Sequence, residues 1–253
     1  MYAAERQAML AGRLLRDGRL VVVELAAEFG VSGETVRRDL AVLEREGLAQ
    51  RVHGGAVPAR SLLGETALAQ RETQYQQEKK RIAQVALDFV PDGGSIGFDA
   101  GSSVEQLVDA LPTDAVATVL THAVPIAAKL TSLETADIHV IGGRIRGITG
   151  AAVGQHAVEA YRHTRLDVAF VGTNGISESH GFSTHDADEA AVKRALVGAA
   201  RRVVMLADSS KLGAEPIFTF ADLADVDVLV TDSGANDDAL APLREAGIEV
   251  LRA

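Results

Sequence analysis

The sequence predicts an α/β protein in two parts, an N-terminal winged helix-turn-helix and a C-terminal α/β domain built on a mostly parallel sheet. Helical periodicity broken by glycines, followed by a glycine pair between two short extended segments, predicts the first part. Apolar runs that alternate with helical segments from about residue 78 predict the second part. A length of 253 residues fits one large domain or two smaller ones.

The first two helices are marked by apolar residues at helical spacing and by glycines that end them. Residues 4–17 form the first predicted helix, and Gly18 ends it. Residues 22–29 fit a second, shorter helix that ends at Gly30. The residues expected to face inward are Met9, Leu10, Leu14 and Leu15 in the first helix, and Val23, Leu25, Ala26 and Phe29 in the second.

A third helix is predicted to begin at Val31-Ser32, because the Ser32 hydroxyl can cap the free N–H groups of a first turn. Its apolar stripe recurs at i, i+4 and i+7 and consists of Val36, Leu40 and Leu43. This stripe directs Glu34, Arg37 and Arg38 away from the core. Two helices joined by a tight turn at Gly30 are the helix-turn-helix pattern, which we place at residues 20–39.

A small β-hairpin, or wing, is predicted after the third helix. Segments 48–52 and 53–57 are short and extended, with Gly54-Gly55 between their apolar residues. If Leu48 and Val52 pack inward, Arg51 and His53 face outward. The DNA-binding domain would then cover residues 1–57, and residues 58–77 would form a linker to the domain at 78–253.

The C-terminal domain alternates predicted strands and helices, which is typical of a parallel sheet covered on both faces. The predicted strands are 95–99, 116–121, 138–143, 167–172, 203–208, 226–232 and 248–251. The predicted helices lie between them, at 106–111, 123–130, 154–164, 188–200 and 237–246.

The formal net charge of −10 belongs to the C-terminal part. The first 57 residues hold eight arginines and eight acidic residues, whereas the remainder holds 17 basic and 27 acidic residues. This distribution argues against nucleic-acid binding over the whole surface, but it allows a neutral module with locally placed arginines. The chain has no cysteine, no secretory signal pattern and no run near the ~18 apolar residues of a membrane span. We therefore expect a cytoplasmic protein with no membrane partner.

A series of blocks in one order resembles the DeoR/GlpR family of bacterial transcriptional regulators. Residues 21–56, with Arg-Arg-Asp-Leu and His-Gly-Gly-Ala, look like the family's helix-turn-helix and wing. The blocks that resemble its sensor domain are Glu78-Lys79 with Ile82-Ala83, 98–103, 140–143, 170–176, 189–197, 208–211 and 230–232.

The resemblance implies both a fold and a function. The implied sensor domain is similar in fold to ribose-5-phosphate isomerases, glucosamine-6-phosphate deaminases and CoA transferases. The implied function is repression of a carbohydrate catabolic operon until a phosphorylated sugar, with a ketose phosphate preferred, binds at residues 78–253. The implied partners are double-stranded operator DNA and further copies of the chain, as a dimer or tetramer. No cofactor or metal is implied, and the sugar, the operator and repression versus activation stay open.

DNA reading needs polar side chains in the N-terminal half of a helix that can enter the major groove. Arginines can bond guanine or phosphate, hydroxyls can bond phosphate, and Glu34 could accept from cytosine. Asp39 is expected to orient an arginine rather than to touch DNA. The candidates are Ser32, Glu34, Thr35, Arg37 and Arg38 in the helix, with Arg51, His53, Gly54 and Gly55 in the wing. The alternatives are a solvated helix face and a plain β-turn.

Sugar-phosphate binding needs backbone N–H groups and hydroxyls that converge on an anion. After a strand that ends at Asp99, Gly101 allows a tight turn and Ser102-Ser103 open a helix. The family usually has Ser-Gly-Thr-Thr here. It commonly has Thr-Asn where this chain has Thr121-His122, and His122 could hydrogen-bond the ligand or titrate near neutral pH. Whether His122 and the Ala100-Gly101-Ser102-Ser103 loop alter the sugar specificity stays open.

Further effector candidates follow other predicted strands or lie on one helix. Lys211 is the best candidate to pair with the phosphate, with Asp208 orienting it or bonding the sugar. Glu189 and Lys193 share a helix face at i, i+4 and either line the pocket or form a surface salt bridge. The remaining candidates are Gly142, Gly143, Arg144 and Asn174.

Two other functions compete with ligand-controlled regulation. A sugar-phosphate isomerase or deaminase with an accessory DNA module would need a general base, for which Asp99 or Glu189 could serve, but the sequence has no evident acid/base pair and we assign no catalytic residue. Alternatively, the C-terminal domain could be only a dimerisation platform. The carboxylates and histidines of residues 177–189 lack the fixed spacing of metal ligands, so we expect no metal site there.

Overall fold

The computed structural model describes residues 3–17, 19–45, 49–52, 54–58, 68–114 and 117–253. The chain divides into two compact units, Met1–Gln74 and Tyr75–Ala253. Among the described residues, no helix combines the length and the apolar character that crossing a membrane would require.

The N-terminal unit is a winged helix-turn-helix, as predicted. Its elements are α1 (Ala3–Asp17), β1 (Leu20–Val21), α2 (Val22–Phe29), α3 (Gly33–Arg45), β2 (Ala49–Val52), β3 (Gly55–Pro58) and α4 (Leu68–Thr73). Strand β3 pairs antiparallel with both β1 and β2, which gives the sheet order β1-β3-β2. Helix α4 lies within the segment 58–77 that we expected to be a linker, and residues 59–67 of that segment lie outside the described residues.

The turn between α2 and α3 forms as the sequence predicts. Gly30 adopts a left-handed conformation with φ +63°, and its N–H donates to the carbonyl oxygen of Ala26. The Thr35 N–H then donates to Ser32 Oγ at 3.1 Å, so Ser32 caps α3.

The core of this unit joins α1, α2 and α3 to the wing. Its fully buried members include Leu10, Leu14, Leu25, Val36, Leu40 and Leu43, and Ala26 and Phe29 pack against them. Two predicted core residues are exposed instead, Met9 at 53% and Val23 at 76%. In α2 the neighbouring Val22 takes the inward position instead of Val23, whereas in α1 Leu10 is buried as expected beside the exposed Met9. One residue along a helix rotates the side chain by about 100°, so neighbours cannot both face the core directly. Gly18 and the side chain of Leu15 lie outside the described residues.

The wing is paired as predicted but packs through different residues. Val52, which we expected to face inward, is exposed because it belongs to the last residue pair before the turn at Gly54. The buried residues of the two wing strands include Ala49 and Ala56 instead. Leu48 and His53 lie outside the described residues.

The C-terminal unit contains all seven predicted parallel strands and all five predicted helices. Its helices are α5 (Gln76–Ala86), α6 (Ser102–Ala110), α7 (Val124–Leu130), α8 (Gln155–Arg162), α9 (Ala187–Ala199) and α10 (Asp237–Glu245). Its strands are β4 (Ser95–Phe98), β5 (Thr118–Thr121), β6 (Asp137–Val140), β7 (Arg144–Arg146), β8 (Ala151–Val153), β9 (Leu166–Gly172), β10 (Gly175–Ser177), β11 (Gly181–Thr184), β12 (Ala200–Leu206), β13 (Phe218–Ala221), β14 (Val228–Thr231) and β15 (Glu249–Arg252).

The main sheet is parallel throughout and has the order β15-β14-β12-β9-β4-β5-β6. Side chains of α5, α6 and α7 pack on one face, and side chains of α8, α9 and α10 pack on the other. The sheet therefore has an apolar core on each face, which explains why its strands are nearly continuous apolar runs.

Two small antiparallel assemblies add to the main sheet. Strands β7 and β8 form a hairpin after β6, and β11 pairs with β10 and with β13. Each assembly is built from segments that follow the carboxyl ends of the parallel strands. These assemblies therefore contribute to the edge where the predicted effector residues lie.

Candidate nucleic-acid interface and effector site

The exposed face of α3 carries the predicted DNA-reading residues. Arg37 and Arg38 are exposed, and Glu34 Oε2 lies 3.4 Å from Arg37 Nη1. The hydroxyls of Ser32 and Thr35 lie 2.9 Å apart at the start of the helix. Because the buried stripe of α3 lies on the opposite side, the exposed face presents two guanidinium groups and two hydroxyls at the N-terminal half of the helix.

Asp39 holds α3 against α1. It is buried, and its Oδ2 accepts from Arg6 Nε at 2.5 Å while its Oδ1 accepts from Gln7 Nε2 at 2.9 Å. Hydrogen bonding to Asp39 raises the pKa of Arg6, which stays charged. Asp39 thus orients Arg6 of α1 rather than the neighbouring arginine that we expected, and the pair fixes the position of α3.

The wing is tied to the end of α3 by Arg51. The Arg51 N–H donates to Glu44 Oε1 at 3.1 Å, and its Nε donates to Glu44 Oε2 at 2.7 Å. These two hydrogen bonds lower the pKa of the Glu44 carboxyl. Gly54 is exposed at the turn with φ +80°. Gly55, a predicted DNA contact, is instead buried against β1, where a Cβ atom would overlap the carbonyl oxygen of Leu20.

In the C-terminal unit, most predicted effector residues follow the ends of parallel strands. Asp99 follows β4, His122 follows β5, Gly142 follows β6, Asn174 follows β9 and Asp208 follows β12. Because the carboxyl ends of parallel strands meet at one edge of a sheet, these residues gather there. This is the edge at which open α/β sheets bind ligands.

Asp99 is the centre of a buried hydrogen-bond cluster at this edge. Its Oδ2 accepts from Lys193 Nζ of α9 and, at 2.9 Å, from the N–H of Gly172. Lys193 Nζ also donates to the Gly172 carbonyl oxygen at 2.9 Å. In the described part of the chain, Asp99 Oδ1 has no hydrogen-bond partner although it is buried. Lys193 therefore forms a buried ion pair with Asp99, and the alternative of a surface salt bridge between Glu189 and Lys193 is wrong.

His122 extends this cluster to α8. Its Nε2 lies 3.5 Å from Asp99 Oδ1, and its Nδ1 lies 2.9 Å from the Tyr161 hydroxyl. Burial lowers the pKa of His122 to about 4, an effect that Asp99 opposes and Lys193 reinforces. The ring is therefore neutral near pH 7, which differs from the titration near neutral pH that an unperturbed histidine would show.

Thr121, the residue before His122, makes hydrogen bonds within the protein. Its Oγ1 donates to the Phe98 carbonyl oxygen at 2.9 Å and accepts from the Ala123 N–H at 3.1 Å. The side chain is fully buried. Thr121 thus fixes the end of β5 against β4, and its predicted contact with the effector is replaced by these internal bonds.

The start of α6 borders an open recess. Gly101 has φ +141° and is buried, yet a Cβ built on it would meet no atom within 4 Å beyond its chain neighbours. Ser102 and Ser103 follow in the first turn of α6, and among the described residues their hydroxyls make no hydrogen bond within the protein. The first turn of α6, next to Gly101, therefore offers its N–H groups and two hydroxyls to a ligand.

Glu189 ties three elements together. Its Oε1 accepts from the Thr149 hydroxyl and from Arg146 Nη1 at 3.3 Å, and Thr184 Oγ1 lies 3.5 Å from its Oε2. Thr184 Oγ1 also donates to Asn174 Oδ1 at 2.8 Å. Glu189 thus links α9 to the β7–β8 hairpin and to β11, and Thr184 of β11 continues the contacts to Asn174 in the loop after β9.

The hairpin directs Arg146 inward and Arg144 outward. Arg144 is exposed and pairs with Asp188, whereas Arg146 Nε lies 3.1 Å from Asp186 Oδ2. Gly142 and Gly143 are exposed, and a Cβ on Gly143 would lie 2.7 Å from the Val153 carbonyl oxygen. The close approach at Gly143 therefore serves the hairpin.

Asp208 and Lys211 lie together after β12. Asp208 Oδ1 accepts from the N–H and the hydroxyl of Ser210, while Asp208 Oδ2 is buried with no hydrogen-bond partner among the described residues. Lys211 Nζ is 3.9 Å from Asp208 Oδ2 and 3.1 Å from Ser210 Oγ. The neighbouring strand contributes Asp232, which accepts from the Ser209 N–H at 2.6 Å.

Three polar residues of this edge were not predicted. Asp232 ends a strand, so the rule that selected Asp99 and Asp208 could have found it. Arg146 lies two residues after Arg144 on a short strand, which was too brief to recognise. Tyr161 occupies an inward helical position typical of a core residue, and only the structure places its hydroxyl beside His122.

Polar side chains of segment 177–189 form ion pairs and hydrogen bonds with other residues of the protein. Asp186 and Asp188 pair with Arg146 and Arg144, and His180 Nε2 lies 2.8 Å from the Pro216 carbonyl oxygen. Within the described ranges, no three histidine, aspartate or glutamate side chains are grouped so that they could hold a metal ion.

Two family patterns match the chain. The DeoR-like helix-turn-helix domain matches residues 6–61, and the DeoR C terminal sensor domain matches residues 74–233. Together they include α1 to β3 and most of the parallel sheet.

Named relatives match almost the full length. The HTH-type transcriptional regulator GlpR of Haloferax volcanii is 34% identical over 99% of this chain and 98% of its own length. The HTH-type transcriptional repressor GlcR of Bacillus subtilis is 30% identical over 99% and 96%. The glycerol-3-phosphate regulon repressor of Escherichia coli is 30% identical over 86% of each chain. Each of these relatives is named as a regulator or repressor, and none as an enzyme.

Solved structures show more distant likeness. The full-length sorbitol operon regulator SorC of Klebsiella pneumoniae is 15% identical with a TM-score of 0.40, covering 96% of this chain and 99% of that chain. Ribose 5 phosphate isomerase A of Neisseria gonorrhoeae is 19% identical with a TM-score of 0.40, covering 54% and 53%.

Proposed function

Because the chain belongs to the DeoR family of transcriptional regulators, we propose that it represses a carbohydrate catabolic operon and leaves its operator when a phosphorylated sugar binds. The observation that carries this proposal is the exposed Arg37-Arg38 pair on the face of α3 opposite its buried stripe. The names of GlcR and of the glycerol-3-phosphate regulon repressor support repression, and the second name supports a regulon of phosphorylated-metabolite catabolism.

In the proposed DNA complex, α3 enters the major groove. Arg37 and Arg38 bond guanine edges or phosphates, and the Ser32 and Thr35 hydroxyls bond phosphate oxygens. Glu34 reduces the charge of Arg37 locally and accepts from cytosine N4 where one is present. In the wing, Arg51 and Gly54 approach the DNA backbone together with His53, which lies outside the described residues.

In the proposed effector complex, the phosphate lies at the start of α6. Ser102, Ser103 and the N–H groups of the first turn bind its oxygens, and Lys211 supplies a positive charge. Asp99, His122 and Asn174 bond the sugar. Glu189, Lys193 and Thr121 hold these groups in place through the buried contacts described above.

Regulation requires that the effector favour one arrangement of the DNA-binding modules. A homodimer or tetramer would present two α3 helices to half-sites about 34 Å apart, one helical turn, or a multiple of it. A phosphosugar releases DNA only if it binds more tightly to an arrangement with another spacing. Segment 58–77, which contains α4 and the boundary between the two units after Gln74, would transmit the change. Because its target is chromosomal DNA, the proposed compartment is the cytoplasm.

Fluorescence anisotropy with labelled DNA tests the proposal. The probes are the intergenic regions beside the protein's own gene and neighbouring sugar-metabolism genes, with shuffled sequences as controls. We expect tight binding to one region and its release by one member of a panel that contains fructose 1-phosphate, glucose 6-phosphate and glycerol 3-phosphate. Operator binding that no phosphosugar changes would contradict the effector class, and turnover of a phosphosugar observed by NMR would contradict a purely regulatory role.

A further inference from the structure

We propose that Asp99 and His122 form a binding pair for a sugar hydroxyl, and that Tyr161 is the positioning residue that holds the His122 ring for this purpose. This inference rests on the proposed effector site, and it names the part of the effector that the site recognises. It gives Tyr161, a buried core residue on α8, a role in effector specificity.

The three side chains form a series of contacts that runs from Tyr161 through His122 to Asp99. The Tyr161 hydroxyl lies 2.9 Å from His122 Nδ1, and His122 Nε2 lies 3.5 Å from Asp99 Oδ1. The two rings meet edge to face, with centroids 5.6 Å apart and planes at 88°. All three residues are buried, so their relative orientation is set by packing.

The proton positions follow from what each group can donate. A neutral imidazole carries one N–H, and a carboxylate only accepts. Because Asp99 faces Nε2, the favoured tautomer carries its proton on Nε2. The other ring nitrogen, Nδ1, then accepts from Tyr161, whose pKa burial and the nearby Asp99 charge raise well above its ordinary value, so that it remains a phenol.

This arrangement leaves one donor and one acceptor without a full partner. The 3.5 Å between Nε2 and Oδ1 exceeds the usual ~2.7–3.2 Å of an N–H···O hydrogen bond. Asp99 Oδ2 accepts from Lys193 and Gly172, whereas Oδ1 has no hydrogen-bond partner in the part of the chain that the structure describes. Lys193 thus neutralises Asp99 without occupying Oδ1.

A hydroxyl is the chemical group that fits this pair, because it donates and accepts at once. It would donate to Asp99 Oδ1 and accept from His122 Nε2. An ionised phosphate oxygen could only accept, and the carboxylate would repel it. Gly101, two residues after Asp99, borders open space at the start of α6, where the phosphate is proposed to bind. The phosphate and the hydroxyl of one effector would therefore occupy adjacent parts of one edge.

The first experiment observes the tautomer without any ligand. In ¹⁵N NMR of imidazole-labelled protein at pH 7, we expect His122 to carry its proton on Nε2, with signals assigned by their loss in His122→Gln. Tyr161→Phe should shift the Nδ1 resonance towards that of a ring nitrogen without a hydrogen bond. Tyr75→Phe, at an exposed tyrosine, is the matched control and should change nothing. A proton on Nδ1 in the unmodified protein overturns the proposal.

The second experiment compares a phosphosugar with inorganic phosphate by calorimetric titration. The sugar probes are fructose 1-phosphate and glucose 6-phosphate. A buried acceptor left unpaired in Tyr161→Phe should lower the affinity for the bound phosphosugar about tenfold and leave that for phosphate unchanged. His122→Gln provides the same comparison if Tyr161→Phe does not fold. Equal losses for both probes would reduce Tyr161 to a purely structural role and overturn the proposal.

The two experiments separate this inference from the proposed function. If the Nε2 tautomer is observed but neither phosphosugar binds more tightly than phosphate, the phosphosugar effector and the hydroxyl role both fall. If a phosphosugar binds and releases DNA equally well in the unmodified protein and in Tyr161→Phe, the proposed function stands and this inference alone is refuted.

Discussion

Replacing Lys193 by methionine would leave the Asp99 carboxylate buried without its cation. Lys193 Nζ donates to Asp99 Oδ2 and to the Gly172 carbonyl oxygen, and the two charged side chains are 6% and 0% exposed. Removing one partner of such a buried pair typically costs about 3–5 kcal/mol of the free energy of unfolding. That is a large share of the ~5–15 kcal/mol by which a protein is usually stable, so the C-terminal unit of the variant should unfold far more readily.

Lys129→Met is the matched control. Lys129 is 34% exposed and lies 2.7 Å from Asp109 Oδ2 and 3.5 Å from Glu105 Oε2. The pair with Asp109, whose side chain is 45% exposed, is screened by solvent and contributes only ~0–1 kcal/mol. Urea unfolding followed by circular dichroism gives both free energies. A Lys193→Met loss no larger than the Lys129→Met loss would refute the reasoning. The double variant Asp99→Asn with Lys193→Met should recover most of the loss, because it leaves no unpaired charge.

Four further predictions concern DNA binding, effector response, the wing and pH. Arg37→Ala and Arg38→Ala should each weaken operator binding and reduce the slope of its salt dependence by about one unit, measured by anisotropy from low to high salt; unchanged affinity in both would contradict the assignment of α3. Lys211→Ala should bind operator normally but need more phosphosugar for release, and normal release would remove Lys211 from the site. Gly55→Ala should destabilise the wing, because its Cβ would overlap the backbone of β1, and an unchanged thermal midpoint would contradict that packing. Burial lowers the pKa of His122 to about 4 from 6.5, so the unfolded chain binds a proton at this residue more readily than the folded protein does. The stability that the neutral imidazole contributes is therefore present above pH 6.5 and is lost as the pH falls towards 4. In urea titrations, His122→Gln should show a smaller stability loss over this range.

The parallel sheet could be predicted from the sequence because each of its strands is a local signal. A strand buried on both faces is a continuous apolar run, and such runs mark β9, β12 and β14 directly. The hairpin β7–β8 and the sheet β10-β11-β13 lack this signal. Their strands have only three or four residues, too few to establish a period, and β11 pairs with β13 more than 30 residues later. Their pairing depends on contacts that no local pattern records.

For the same reason, the sequence predicts where the candidate site lies but not which of its side chains bind one another. Polar residues after parallel strands could be placed at one edge by topology alone, as with Asp99 and Asp208. Which of them bind each other depends on contacts far apart in sequence, such as Lys193 with Asp99 at a separation of 94 residues. Tyr161 was missed because a tyrosine at an inward helical position carries the pattern of a core residue. Only the fold shows that its hydroxyl meets His122.

The distribution of charge constrains how this protein can distinguish its operator. In the N-terminal unit, Arg6, Arg13 and Arg51 are paired with acidic side chains. Arg37 and Arg38 lie on the exposed face of α3, where Glu34 Oε2 is 3.4 Å from Arg37 Nη1. The C-terminal part is acidic and repels the phosphate backbone. Nonspecific electrostatic attraction should therefore be weak. If a dimer places these two arginines per module against phosphates, the four contacts correspond to a salt slope of about −3.6. Most discrimination would then come from contacts of α3 with base edges.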